Sequence, residues 1–242
     1  FAEQAGELMA SCDNIREIVC IDGDCDVGVS LEQWSSGTEG SFGAREGALD
    51  DLFAIFPTGG TTGKSKGVML THRNIHALFC NFYAHFNYHD DSCHLVVAPM
   101  THTAGITVCM HFARGGCNVM MNTTQPGDIL TAMEQHAVTH LFLPPTVLYM
   151  LLADPSAKER DFSKLKHFLV GAAPTSLEKL KEALDIFGPV MTEAFGQTEA
   201  PASVTAKAPW DYLHDDGTID EARLHSIGRP CVFNQVEILD DQ

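Results

Sequence analysis

Residues 57–67 read Pro-Thr-Gly-Gly-Thr-Thr-Gly-Lys-Ser-Lys-Gly and directly follow the apolar run 52–56. The glycines inside this stretch let the backbone approach a ligand closely and adopt positive φ angles. Successive backbone N–H groups can then point into one concavity, which is a typical anion site. Threonine hydroxyls add neutral donors, and two lysines add positive charge. The composition therefore indicates a loop that holds the phosphates of a nucleotide triphosphate.

One interpretation of this loop is a Walker motif, which requires G-x-x-x-x-G-K-S/T. Gly63-Lys64-Ser65 supplies the end of that pattern, but the first glycine would have to stand at Thr58. A Walker loop also opens directly into a helix, whereas residues 66–71 are typical of a short strand. A Walker kinase or NTPase, which would transfer phosphate without releasing pyrophosphate, is therefore the less favoured alternative.

The loop and four later segments, in the same order, resemble motifs of the adenylate-forming superfamily, which contains acyl- and aryl-CoA synthetases, luciferases and the adenylation domains of peptide synthetases. The loop departs from the family motif at Gly59, where a hydroxyl residue is usual, and at Ser65, where proline is usual. The four later segments are Pro99–Gly105, similar to P-x-x-H-x-x-G; Gly171–Pro174, similar to G-G-A-P; Phe195–Glu199, similar to Y-G-x-T-E; and Ile227–Pro230 followed by Val236–Ile238, similar to the G-x-P segment and its strand.

From residue 51 onward, short β-rich runs alternate with helical stretches, which predicts an α/β fold with a largely parallel β-sheet and helices on both faces. The predicted strands are 52–56, 94–98, 118–121, 140–143, 167–170, 190–192 and 235–239, and the predicted helices are 74–86, 105–113, 126–136, 146–153 and 177–187. Ligands of such sheets collect at the carboxyl ends of the strands. Because the first four motif segments each follow a predicted strand, we expect them to converge on one cleft.

The domain organisation follows from the same patterns. Residues 1–50, with a predicted helix at 1–13 and a strand at 17–22, are interpreted as an incomplete upstream subdomain segment and linker. Residues 51–242 are interpreted as the ATP- and acyl-binding α/β subdomain. The resemblance implies part of the large N-terminal domain of a longer enzyme, without the small C-terminal lid and its catalytic lysine and without the ribose-binding aspartate. We expect this fragment alone to be inactive or nearly so.

The resemblance implies ATP-dependent activation of a fatty or related carboxylic acid, with pyrophosphate release and then thioester formation with CoA as co-substrate. The implied catalytic residues are Thr198 at the α-phosphate, Glu199 as the Mg²⁺ ligand and Lys66 as a point charge at the phosphates. The implied ATP-binding set is Thr58, Gly59, Gly60, Thr61, Thr62, Gly63, Lys66, Gly171, Ala172, Ala173, Pro174, Phe195 and Gly196, and the implied acyl-pocket set is His102, Thr103 and Gly105.

Other functions remain open at this point. Within the family, the alternatives are an aryl-CoA ligase and an amino- or aryl-acid adenylation domain. No basic residue is clearly placed for the second charge of an amino acid, which favours a simple or aromatic acid. From a different class, a non-catalytic nucleotide-binding lobe is supported by the departures at Gly59 and Ser65.

Composition limits the partners. The formal net charge of −17 over 242 residues argues against nucleic acid, because phosphate backbones require basic patches. No apolar run reaches the length of a membrane-spanning helix, and no signal peptide is visible at the first residues. The expectation is a cytoplasmic protein whose partner is a small-molecule carboxylic acid, with a homodimer left open.

Cysteine and histidine spacing adds two expectations. None of the eight cysteines forms a C-x-x-C pair, which favours reduced thiols, with Cys20 and Cys109 as small core residues. The H-x-x-x-H pairs 72/76, 85/89 and 136/140 have helical spacing, but they lack a third ligand and a general base. A zinc role is therefore not predicted.

Overall fold

The computed structural model describes residues 1–22, 26–37, 46–58 and 66–240, which form two compact units, Phe1–Gly47 and Ala48–Gln242. The first unit contains helix α1 (Ala2–Ser11), strands β1 (Val19–Cys20) and β2 (Val29–Ser30), and helix α2 (Leu31–Ser35). The two strands pair in parallel. The Ser30 hydroxyl accepts a hydrogen bond from the backbone N–H of Gln33 at 3.1 Å, which caps α2. Strand β2 and helix α2 are not among the elements predicted for residues 1–50, which are a helix at 1–13 and a strand at 17–22.

The second unit is a three-layer α/β structure. Its strands are β3 (Leu52–Pro57), β4 (Gly67–Thr71), β5 (Cys93–Val96), β6 (Cys117–Met120), β7 (His140–Leu143), β8 (His167–Val170), β9 (Met191–Gln197), β10 (Ala200–Lys207) and β11 (Arg229–Pro230). Its α-helices are α3 (His72–His85), α4 (Thr103–Ala113), α5 (Pro126–Gln135), α6 (Pro145–Ala153), α7 (Leu177–Phe187) and α8 (Glu221–Leu224), and 3₁₀ turns occupy Pro155–Glu159 and Pro209–Tyr212.

A seven-stranded sheet in the order β11-β10-β9-β8-β7-β5-β6 forms the centre of this unit. The strands from β9 to β6 run in parallel, whereas β10 and β11 add antiparallel pairs at one edge. Every residue of β7 and β8 is buried, because parallel strands covered on both faces consist of nearly continuous apolar runs. The predicted fold class is confirmed.

The two faces of the sheet have different interiors. On one face, helices α5, α6 and α7 pack against an apolar cluster that contains Leu141, Leu143, Phe168 and Val170. On the other face, which we call the α3/α4 face, the cluster contains Phe142 and Leu169 together with side chains of α3 and α4. The alternation follows from the period of two in a strand, which sends successive side chains to opposite faces.

Strands β3 and β4 form an antiparallel hairpin outside the large sheet. The predicted strand at 52–56 and the short strand after the loop are both present, but β3 is not a member of the parallel sheet as the β-α-β interpretation required. The hairpin buries Leu70 and partly buries Phe56 and Val68 against the α3/α4 cluster. Apolar contact therefore joins the hairpin to the rest of the unit.

The structure corrects three expectations. Residues 235–239 are not a strand; Ile238 is 98% and Leu239 80% exposed, and no strand pairs with this segment in the described part of the chain. Cys109 is exposed rather than a core thiol, and Cys20 is disulfide-bonded rather than reduced.

None of the helices in the described ranges combines the length and apolar character needed to cross a bilayer.

Four buried histidines occupy the α3/α4 face of the sheet. His94, His140 and His167 are paired in register on three neighbouring strands. His111 of α4 is also buried and packs against His94 and His140. The His94 and His111 rings stack with centroids 4.5 Å apart, and the His140 and His167 rings stack at 5.2 Å. We call these four residues the histidine cluster. Tyr88 also stacks on His140, with centroids 5.0 Å apart.

The cluster is surrounded by neutral groups. The hydrogen-bond partners of its Nδ1 atoms are Asn118 Oδ1 for His94, the Thr107 carbonyl for His111, Thr139 Oγ1 for His140 and Thr192 Oγ1 for His167. Within the described residues, no carboxylate pairs with the cluster, and the Nε2 atoms of His111 and His140 have no partner. The interior therefore favours neutral imidazoles.

Burial lowers the pKa of every member of the cluster. The pKa falls to about 3 for His94, about 4 for His111, about 2 for His140 and about 4 for His167. Repulsion from neighbouring histidines adds to the effect at His94 and His140, and Lys166 lowers the pKa of His140 and His167 further. The unfolded chain, with histidine pKa values near the ordinary 6.5, binds more protons than the folded chain below that pH.

We predict that the free energy of unfolding falls as the pH drops from about 6.5 to about 4, and that it is constant with respect to these groups above that range. Each unit of pKa depression corresponds to about 1.4 kcal/mol, so the loss amounts to several kcal/mol. Because a domain is stable by only about 5–15 kcal/mol, acid unfolding is expected within this window. Urea unfolding at a series of pH values measures the effect.

A His140→Phe variant separates the cluster from other acid effects. The phenyl ring keeps the packing between Tyr88 and His167 but cannot take a proton, so the pH slope should be shallower than in the unchanged chain. His136→Gln, at an exposed position after α5, is the matched control and should keep the full slope. Equal slopes in the His140→Phe variant and the unchanged chain would contradict the assignment.

Candidate functional site

Three motif segments lie at the carboxyl ends of parallel strands. Residues 99–105 follow β5, residues 171–174 follow β8, and the Thr198–Glu199 turn follows β9. The strand order β9-β8-β7-β5 includes three strand spacings, so the segments cover roughly 15 Å of one sheet edge. These segments therefore share the edge where open α/β sheets bind ligands.

The ends of the glycine-rich loop are fixed by the β3–β4 hairpin. The backbone N–H of Thr58 donates to the Lys66 carbonyl at 2.8 Å, and the backbone N–H of Lys66 donates to Thr58 Oγ1 at 3.1 Å. The Lys66 side chain is exposed. The predicted ligands Gly59, Gly60, Thr61, Thr62 and Gly63 lie outside the described residues.

Apolar packing links the base of this loop to the cluster that residues around other motif segments also contact. Phe56 and Val68, which flank the loop, pack against the α3/α4 cluster. The same cluster also contacts residues around two motifs: Ala98 and Ile106 flank residues 99–105, and Ala194 and Ala202 lie on either side of residues 195–199. The hairpin and the carboxyl edge of the sheet are thus joined through one set of apolar contacts.

The first turn of α4 forms the segment predicted to border the acyl pocket. His102 is the N-cap residue of α4 and is exposed, and Thr103 is half-buried. At Gly105, an added Cβ would lie 2.0 Å from the Met100 carbonyl oxygen, a contact that no side chain allows. Glycine therefore lets the helix begin directly against the preceding loop, with His102 at its tip.

The turn after β8 contains an unusual backbone conformation. Ala172 has a φ of 71°, in the left-handed region, which costs a non-glycine residue about 1–2 kcal/mol. Ala172, Ala173 and Pro174 are exposed, whereas Gly171 is half-buried. An added Cβ at Gly171 would lie 3.4 Å from the Ala194 carbonyl oxygen, so this turn lies directly beside β9.

The Phe195–Glu199 segment is shaped by a bulge in its neighbour. Between Ala200 and Thr205 the register of β10 against β9 shifts, and Ala202 in this stretch has a φ of 50°. The bulge brings the Ala202 backbone nitrogen to 2.2 Å from where a Cβ at Gly196 would stand. Only glycine fits at position 196, and Phe195 beside it is 46% exposed.

A buried ionic group behind this segment was not found by the sequence analysis. Lys207 is 1% exposed, and its Nζ donates to Glu193 Oε2 at 3.0 Å and to the Ser226 carbonyl at 3.0 Å. The Tyr212 hydroxyl donates to the same Glu193 oxygen at 2.8 Å. Burial, followed by the negative charge of Glu193, raises the pKa of Tyr212 well above its ordinary value. A lysine among small apolar residues at the end of a strand is the one signal that the sequence offered.

This network ties the Ile227–Pro230 segment to β10. Lys207 holds the carbonyl of Ser226, and Thr205 Oγ1 donates to the carbonyl of Ile227 at 2.7 Å. Gly228 has a φ of 99°, and a Cβ there would lie 2.1 Å from the Ala206 carbonyl oxygen. The glycine of this motif is therefore required both by conformation and by the close approach of the strand.

The donor set is suited to Mg²⁺ held jointly with a ligand. Glu199 is exposed at the turn between β9 and β10, and its carboxylate has no partner within residues 46–58 and 66–240. Across the described ranges, no group of three or more His, Cys, Asp or Glu side chains is arranged to hold a metal ion. A single carboxylate completed by phosphates and water is the usual mode for Mg²⁺, and Glu199 fits it.

Comparison with known proteins agrees with the geometry. The family model described as AMP-binding enzyme matches residues 2–242. The chain belongs to the AMP-binding enzyme family. Its relatives include the medium/long-chain-fatty-acid–CoA ligase FadD8 of Mycobacterium tuberculosis, 30% identical over all of this chain and 42% of the relative. Feruloyl-CoA synthase of an Amycolatopsis species is 32% identical over 78% of this chain and 37% of the relative.

A solved structure supports the fold of this member of the AMP-binding enzyme family. The amide bond synthetase McbA from Marinactinospora thermotolerans superposes with a TM-score of 0.80 at 23% identity, covering 99% of this chain and 45% of that protein. The chain thus spans less than half the length of FadD8 and McbA.

We predict that Gly196→Ala lowers the free energy of unfolding by about 1–3 kcal/mol, because the new methyl group would overlap the Ala202 backbone. Gly171→Ala is the matched control, since its Cβ would meet neighbours only at ordinary contact distance, 3.4 Å and beyond. It should change stability by less than about 1 kcal/mol. Chemical denaturation compares the two; equal effects would show that the bulge does not exclude a side chain at position 196.

We predict that Lys207→Met lowers the free energy of unfolding by about 3–5 kcal/mol, because Glu193 is left as an unpaired charge in the interior. The double variant Lys207→Met with Glu193→Gln removes that charge and should recover part of the loss. Thermal and urea unfolding of the single and double variants measure the coupling. Additive effects of the two substitutions would contradict the buried pair.

Proposed function

We propose that the whole protein activates a carboxylic acid with ATP, releases pyrophosphate, and transfers the acyl group to the thiol of CoA. The proposal rests on the placement of three motif segments at the carboxyl edge of the parallel sheet. The β3–β4 hairpin, which carries the ends of the glycine-rich loop, packs against the apolar cluster of the α3/α4 face, which residues around two motifs also contact. Membership of the AMP-binding enzyme family supports the proposal.

The roles proposed for the loop and turn residues follow from their chemistry. The loop from Thr58 to Lys66 would hold the β- and γ-phosphates with backbone N–H groups and hydroxyls, and the Lys66 ammonium would balance charge. Thr198 would donate to the α-phosphate, and Glu199 would bind Mg²⁺. When bound, Mg²⁺ would neutralise the negative charge that develops on the phosphate oxygens. Most of the catalysis would come from positioning and electrostatics.

The roles proposed for residues at the sheet edge concern the adenine of ATP and the carboxylic acid substrate. Phe195 offers an exposed ring face for adenine beside the 171–174 turn, whose exposed backbone would run along the purine. His102, Thr103 and Gly105, at the tip of α4, would border the carboxylate and acyl pocket. These groups orient the attacking carboxylate toward the α-phosphate, and the joining of acid and AMP needs no covalent bond to the protein.

A fatty or related aliphatic acid is the substrate class we propose, in line with the FadD8 relative, which matches the entire chain. The feruloyl-CoA synthase relative, 32% identical, favours an aromatic acid as the second candidate. The proposal also includes a role in fatty-acid metabolism, a cytoplasmic location and a homodimer.

Carboxylate-dependent ATP–pyrophosphate exchange tests the proposal on the full-length protein with a panel of fatty, aromatic and amino acids. Glu199→Ala and Lys66→Ala should each reduce exchange by roughly 10²-fold, the usual cost of removing one electrostatic contact to the transition state. Glu159→Ala and Lys158→Ala change exposed residues of the same types away from the motifs and should leave exchange unchanged.

The remaining outcomes separate the alternatives. Unchanged exchange in both Glu199→Ala and Lys66→Ala would remove the site assignment. ATP binding without exchange for any acid would favour a non-catalytic nucleotide-binding lobe. Phosphate transfer to an acceptor without pyrophosphate release would favour the Walker interpretation.

A further inference from the structure

Two cysteines face each other at the edge of the large sheet. Cys93 is the first residue of β5, Cys117 is the first residue of β6, and the parallel register pairs them Cα to Cα. Both thiols are free. Neighbouring strands lie about 4.8 Å apart, within the range of about 4.4–6.8 Å that Cα atoms of a disulfide span. Register partners also project to the same face of a sheet, so the two sulfurs lie on one side.

The backbone holds both cysteines in place. The Cys93 N–H donates to Thr139 Oγ1 at 2.8 Å, and the Cys93 carbonyl accepts from the Thr139 N–H at 2.9 Å. The Cys117 N–H donates to the Ser92 carbonyl at 2.8 Å. Because the main chain of each cysteine is anchored to a neighbouring strand or turn, the separation of the two side chains is set by the sheet.

The environments of the two thiols differ. Cys117 is exposed, whereas Cys93 is half-buried against the cluster under α5, α6 and α7. Burial raises the pKa of Cys93, and the adjacent Cys117 thiol raises it further through charge and side-chain contact. The exposed thiol therefore meets an oxidant first, and the half-buried thiol lies beside it as the second reactant.

We propose that Cys93 and Cys117 form a redox-sensitive pair that a peroxide converts into a disulfide between β5 and β6. The Cys117 thiolate attacks one peroxide oxygen, the O–O bond breaks, and a sulfenic acid and one water result after proton transfer. The Cys93 sulfur then attacks the Cys117 sulfur, the S–S bond forms, and the S–O bond breaks to release a second water. Two thiols are oxidised by two electrons, and one hydrogen peroxide is reduced to two waters.

The pair lies apart from the candidate active site. Cys93 and Cys117 are at the amino ends of their strands, whereas the motif segments follow the carboxyl ends. Among the described strands, β6 pairs with β5 alone, so the disulfide fastens the outermost strand to the sheet. Oxidation is thus expected to alter the stability of this edge without removing a group from the nucleotide site.

Peroxide titration with thiol counting and peptide mapping tests the pair. The chain is treated with hydrogen peroxide, remaining thiols are labelled with a maleimide, and disulfide-linked peptides are identified by mass spectrometry. The expected result is the loss of two thiols per chain, a linked peptide joining Cys93 to Cys117, and full recovery with dithiothreitol. Cys93→Ser and Cys117→Ser should each abolish the linkage, whereas Cys12→Ser, at an exposed position in the first unit, should leave it intact.

Two results would overturn the proposal. One is oxidation of Cys117 to sulfinic acid in the unchanged chain without any bond to Cys93. The other is a dithiothreitol-reversible loss of two thiols per chain that persists in the Cys93→Ser variant, which would place the disulfide elsewhere. Peptide mapping of the unchanged chain decides the question even where a serine variant fails to fold.

Discussion

The parallel hydrogen-bonded ladder that joins β5, β7, β8 and β9 is the constraint on which the rest of the structure depends. It aligns the carboxyl ends of the four strands, and three motif segments leave the sheet from that one edge. Parallel strands need crossover connections, and the crossover helices cover both faces. Motifs that are far apart in the sequence thereby lie along one edge of the sheet.

Around this ladder, glycines at close backbone approaches and one buried ion pair shape the individual segments. Gly105, Gly196 and Gly228 each lie where a Cβ would stand 2.0–2.2 Å from a backbone atom, so each of these three glycines has a steric cause. Lys207 and Glu193 link β9 and β10 to the segment before Gly228. The backbone conformation at the candidate site is therefore fixed by buried groups that need not contact a ligand themselves.

The sequence predicted the parts of the fold that depend on continuous apolar runs, such as β7 and β8, and it correctly placed the 99–105 and 171–174 segments after strands of the parallel sheet. Residues 195–197, expected after a strand, lie inside β9 instead. It did not predict β10, because Ala200–Lys207 contains proline and small residues and depends on pairing with β9. Residues 235–239 have strand-like composition, but no strand pairs with them in the described ranges. The sequence pattern indicated histidines at helical spacing, four residues apart. The histidines that are neighbours in the structure, His94, His140 and His167, are instead paired by strand register between distant segments. Register and buried charge pairs are long-range properties that local patterns do not carry.

The β3–β4 hairpin pairs with no other strand of the described chain. One end of the hairpin is fixed where β4 continues into α3 at Thr71. Toward the other end its anchorage consists of apolar side chains such as Phe56 and Val68, which resist separation but offer little directional resistance to sliding. A pull exerted on Thr58 and Lys66 would consequently tilt both strands together as a lever, while the hydrogen bonds between β3 and β4 stay intact. The loop ends at Thr58 and Lys66 are thus carried on an arm that pivots near Thr71, and its angle can change without breaking a hydrogen bond of the main sheet.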